Sequence, residues 1–163
     1  MILPFTPVTI SRSDDLEKAQ HRIEGFVGEL NTEHKPVAII APSNHDAHHG
    51  HEVVARAVRE SMKSVSGSRL WLWNIWGELP YPNLYSPFDQ SRLDKVLYSL
   101  QAYKGENERN NYPQMVLGRA LLGSVLGSEK IFGFGAGAVS GEPYAELLTE
   151  VVNVDGRWMA GQK

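Results

Sequence analysis

Four of the chain's six histidines fall within seven residues, in the segment Asn44-His45-Asp46-Ala47-His48-His49-Gly50-His51-Glu52. Imidazole is the commonest neutral metal ligand near neutral pH. His48 and His51 are three residues apart, so a helix that starts early puts both rings on one face. The positive end of that helix disfavours imidazolium and keeps the rings in the neutral form a metal needs. The spacing differs from the HExxH pattern, in which the two histidines are four apart and bracket a Glu. A His-rich loop that is merely solvated is the competing reading. The argument against it is position: the segment follows a short apolar run and opens a helix, the place where open α/β sheets bind ligands.

The surrounding elements set that position. Pro36 to Pro42 (PVAIIAP) is continuously apolar and β-branched, as suits a strand buried on both faces. Val53, Val54, Ala57, Val58 and Met62 then recur at helical spacing, and Leu70 to Trp76 (LWLWNIW) reads as the next strand. Strand, helix and strand within about 40 residues form a βαβ unit with parallel strands. Upstream, residues 5–10 (FTPVTI) read as a short extended piece. Ser13 reads as an N-cap, with Asp14 and Asp15 in the first turn of a helix. Leu16, Ile23, Phe26, Val27 and Leu30 mark the apolar face of that helix.

The second half is less regular. Gly77 to Pro87 holds three prolines and reads as a long loop. Asp89 reads as the cap of a helix with an apolar face of Leu93, Val96, Leu97, Leu100 and Tyr103. KGENERNN reads as a loop. Pro113 suits the first position of a helix running through Leu117, Ala120, Leu121 and Val125. IFGFGAGAVSG is either a strand or a loop, and GEPYAELLTEVV closes the ordered chain.

Composition narrows the function classes. The 163 residues suit one domain spanning 1–163, and 42% hydrophobic with 21% charged residues argue for a folded globular chain. A formal net charge of −3 provides no footprint for nucleic acid. The absence of cysteine removes disulfides, thiolate zinc and Cys nucleophiles. The apolar runs are far shorter than the roughly 20 residues a membrane helix needs, and the expectation is a cytoplasmic protein.

The stretch PVAIIAPSNHDAHHGHEVVARAVRESM resembles the second signature of the LmbE-like, or PIG-L, family of metal-dependent N-deacetylases. There a strand ends near a proline, and a D-x-H-x-D-H-type motif opens a helix. SRLDKVLYSLQAYKGE and GEPYAELL are similar to later segments of that family, so the resemblance covers most of residues 16–150. It implies an α/β fold: a three-layer, Rossmann-like parallel sheet with flanking helices, smaller than in full-length members. It implies His51 as a metal ligand and His48 as a catalytic histidine, with zinc or another divalent cation bound. The motif's acid falls on Gly50, so its role is vacant or passes to Asp46. The family's first signature, A-H-P-D-D, is not found in these residues. Asp14 and Asp15 follow VTI but lack the preceding His, and helix capping explains them better than metal ligation. The chain is therefore expected to lack the usual amino-terminal strand, motif and helix. Glu52 and Glu146 are the remaining carboxylates near candidate elements.

Two functions follow. One is a hydrolase that deacetylates an N-acetylated sugar or related small molecule through His48, Asp46 and His51, with a homo-oligomer completing the sheet or site. The other is a non-catalytic family member acting as a folded binding or interaction module. A third, weaker reading is an anion site at the helix N-terminus, without a phosphate-loop motif to support it. Trp71, Trp73, Trp76, Tyr81 and Tyr85 suit core and loop packing better than a sugar platform. Alternation puts Trp71 and Trp73 on the face opposite Leu70 and Leu72.

Overall fold

A computed structural model describes residues 16–34 and 38–161. The expected extended piece at 5–10 and the capping residues Ser13, Asp14 and Asp15 lie outside the described residues. The fold is mixed α/β, with five strands in parallel and antiparallel pairings. The chain divides into two compact units. One comprises residues up to Pro80 together with Glu150–Gly161, and the other is built from Tyr81–Thr149.

In the first unit, helix α1 (Leu16–His34) packs against α2 (His49–Ser61), and strands β1 (Ala38–Pro42) and β2 (Arg69–Trp73) pair in parallel. The expected βαβ unit is therefore present, with Ile40 opposite Trp71 and Pro42 opposite Trp73. Alternation along β2 buries Leu70 and Leu72 and leaves Trp71 and Trp73 half-buried, as read from the sequence. Ile23 and Val27 of α1 meet Val53, Ala57 and Val58 of α2, Met62 just past its end, and Ala41, Leu70 and Leu72 of the strands in one apolar core. Burying each of the larger side chains contributes about 1.5–3 kcal/mol.

The unit is closed by the far half of strand β4 (Tyr144–Val154) and by strand β5 (Arg157–Ala160), which pair antiparallel. Asp155 and Gly156 form the turn between them, with φ of +50° and +82°. Asp-Gly is the preferred pair for a two-residue hairpin in which both residues take positive φ. The ordered chain runs past Val152, the end expected from its sequence. The hairpin continues it to Ala160.

In the second unit, β3 (Leu84–Phe88) pairs antiparallel with the near half of β4, so the proline-rich stretch read as a loop ends in a strand. Pro87 is tolerated because β3 pairs with β4 alone among the described strands. Helix α3 (Gln90–Leu100) starts as expected at Asp89, whose Oδ1 accepts from the Arg92 N–H at 2.9 Å. KGENER is a short helix, α4 (Lys104–Arg109), rather than a loop. Helix α5 (Tyr112–Phe132) is capped by Asn111, whose Oδ1 accepts from the Gln114 N–H at 3.1 Å. The ambiguous glycine-rich run leads out of α5 into irregular chain. Leu93, Ala120 and Tyr144 form the centre of this unit's core. Among the described residues, no helix is long and apolar enough to cross a membrane.

Candidate functional site

The histidine segment sits where β1 ends and α2 begins, all within the first unit. The Ser43 N–H donates to the Trp73 carbonyl at 2.8 Å and extends the β1–β2 pairing by one residue. A turn follows, in which the Asp46 N–H returns to the Ser43 carbonyl at 3.1 Å. That turn drops the Asp46 side chain inward, and the residue is only 5% exposed. Its Oδ1 accepts from the His48 N–H at 3.0 Å. Its Oδ2 accepts from the Ile75 N–H at 2.7 Å and the Trp76 N–H at 3.3 Å, both just past β2. One carboxylate thus joins the chain leaving β1 to the chain leaving β2.

Burial alone would raise the Asp46 pKa. The N–H groups of Ile75, His48 and Trp76, with the His51 ring beside them, outweigh burial and hold the carboxyl below its ordinary value. Asp46 is therefore a carboxylate at neutral pH.

Helix α2 begins at His49, four residues before Val53, the first of its periodic apolar residues. His48 stands at the N-cap in extended conformation, and its side chain makes no cap bond. The early start puts His48 and His51 one turn apart, with ring centroids 4.6 Å apart. The pairing anticipated from their spacing is present. The Nδ1 of His51 lies 3.3 Å from Asp46 Oδ1, out of line for a hydrogen bond. The His51 ring also meets the edge of Trp73, at a centroid distance of 5.0 Å.

An imidazole with one nitrogen beside a buried carboxylate has its other nitrogen available for a ligand. Carboxylates orient metal-binding histidines by accepting a ring N–H; Asp46 is close enough to His51 for that role but is not aligned for the bond here. The donor set fits one ligand position, at His51. Asp46 is the group beside it rather than a second ligand, because its oxygens already face three N–H groups. Gly50 is buried on α2 and supplies no side chain, and Asp46 is the carboxylate that lies beside His51. Among the described residues, no group of three or more His, Asp or Glu side chains is placed to hold a metal together.

The other candidates lie elsewhere. Glu52, in the first turn of α2, pairs with Arg56 one turn on. Glu146 lies in the second unit, on β4 opposite Ser86. Trp71 donates its indole N–H to Glu150 at 2.8 Å, which is a packing role. Tyr85 sets its ring against Phe132 in the second unit. Trp73, expected to serve packing, also lies close to the His51 ring in a T-shaped contact. A parallel βαβ unit brings the ends of its two strands together, and that was the sequence signal for this contact. The hold of Asp46 on Ile75 and Trp76 had no sequence signal, since these residues are 29 and 30 positions away. No family model, curated protein or solved structure matches the chain.

Proposed function

We propose that this chain is a metal-dependent hydrolase of the LmbE/PIG-L class, acting on an N-acetylated sugar or a related small molecule. The observation that carries the proposal is the Asp46–His51 pair, with the His48 ring one turn away, at the carboxyl end of a parallel strand. His51 would hold zinc or another divalent cation, with Asp46 orienting its ring. His48 would stand beside the reacting carbonyl. Zinc held by His51 would supply Lewis-acid polarisation of an amide carbonyl and a more acidic water. A catalytic zinc usually has three protein ligands, so the site needs donors beyond those the described residues assemble. The three-layer Rossmann-like arrangement belongs to the same proposal.

The alternative reading is a non-catalytic member that folds and binds a partner. Zinc stoichiometry after loading and buffer exchange separates the two. The hydrolase reading expects about one zinc per chain, with binding lost in His51→Ala and with hydrolysis of an N-acetylglucosamine derivative. A wild-type chain that retains no zinc above background removes the hydrolase reading.

A further inference from the structure

Helix α5 carries an apolar face on the side away from its own core. Ala120, Gly123, Gly127 and Ile131 are turned inward and buried. Leu121, Leu122, Val125, Leu126 and Phe132 are 46, 57, 66, 38 and 56% exposed, and Phe134 just beyond the helix is 95% exposed. At helical spacing the five helical side chains make a stripe about three turns long, Phe132 at its end also meeting Tyr85, and Phe134 lies beyond the helix. A fully exposed aromatic side chain presents about 150–250 Å². On that scale Phe132 and Phe134 alone leave about 230–380 Å² uncovered, and the four exposed aliphatic side chains add to it. The largest apolar patch on a typical monomer is about 300–600 Å², and a standard interface buries about 800 Å² on each partner.

We propose that this face of α5 is a self-association surface, occupied by α5 of a second copy of the chain around a two-fold axis. An apolar stripe is complementary to itself under such an axis, and a net charge of −3 offers little repulsion between copies. Gly118 is in line with Leu122 and Val125, and a methyl group added there would meet nothing within 4 Å. That open space lets a second helix approach closely. A lipid surface is the poorer match. Helices that lie on membranes are bordered by many Lys and Arg, whereas α5 carries Arg119 and Lys130 with Glu129 between them in sequence.

The test is the mass of the full chain in solution, measured by sedimentation at micromolar concentration, with circular dichroism as the check on folding. Wild type is expected to sediment as two chains. Leu122→Glu and Val125→Glu change exposed residues and are expected to keep the fold while weakening association by about a hundredfold or more. Val125→Lys is expected to be monomeric alone and to dimerise when mixed with Val125→Glu. A monomeric wild type overturns the proposal. So does a dimer that the folded variants leave intact, or a chain that binds anionic phospholipid vesicles in place of its own copy.

Discussion

Replacing Asp46 is the sharpest test of how the site is built. Asp46→Ala takes the acceptor from the Ile75, Trp76 and His48 N–H groups and the carboxylate from beside His51. Hydrogen bonds to a charged partner are worth about 1.5–3 kcal/mol each. The three share one side chain, and water replaces part of what is lost, so the expected cost is about 3–5 kcal/mol. For a chain of this length that is a fall in melting temperature of about 10 °C. Asp46→Asn keeps the shape and one acceptor oxygen and should lose about half as much. The pH dependence follows from the lowered Asp46 pKa. A carboxyl depressed in the folded state adds stability above the unfolded value, about 3.9, and loses it as pH falls through the folded value. The gap between wild type and Asp46→Asn is therefore expected at neutral pH and should narrow as the solution is taken below about pH 4. Chemical denaturation of the three proteins across that range measures it. If Asp46→Ala stays within about 0.5 kcal/mol of wild type at neutral pH, the proposed bridge between the two strand ends is wrong. An Asn deficit that persists unchanged in acid would show that the charge is not what holds them.

Two further predictions concern the scaffold. Asn153 is 1% exposed, and its Nδ2 lies 2.8, 2.8 and 2.9 Å from the carbonyls of Met62, Lys63 and Val65, while its Oδ1 accepts from the Gly156 N–H at 2.8 Å. Asn153→Ala should cost about 3 kcal/mol by thermal denaturation, and Asn153→Asp should cost more, because a carboxylate would face three carbonyl oxygens. In the second unit, a Cβ at Gly123 would lie 2.2 Å from the Ala145 carbonyl oxygen. Gly123→Ala should therefore destabilise by at least about 1–3 kcal/mol, despite the usual helix preference for Ala. Gly25→Ala in α1, where nothing lies within 4 Å, should instead stabilise by about 0.5–1 kcal/mol.

What the sequence revealed depended on whether the determining interaction was local. The βαβ unit was legible because α2 and β2 each bury a periodic apolar face, through Val53, Ala57 and Val58 and through Leu70 and Leu72; β1, a continuous apolar run expected to be buried on both faces, instead leaves Ile40 61% exposed. Asp89 was legible as a cap because its partner is three residues away. KGENER escaped notice because a helix with no buried residue has no apolar period to read. The 155–156 hairpin carried a recognisable Asp-Gly signal. It was missed because the flanking residues are only partly buried and their alternation is weak.

The site divides along the same line. The pairing of His48 with His51 follows from one turn of helix, and the sequence contains it. The buried carboxylate beside His51 does not follow from any spacing. It exists because two parallel strands end side by side, and Asp46 collects N–H groups from the chain leaving the second of them. A motif that places an acid next to its histidine would orient the ring through one short stretch of chain. Here Gly50 is at that position and the carboxylate near His51 comes from the turn, so the placing of Asp46 beside His51 depends on the folding of the whole βαβ unit. Loosening β2 should therefore disturb His51 even though no residue of β2 would hold a ligand.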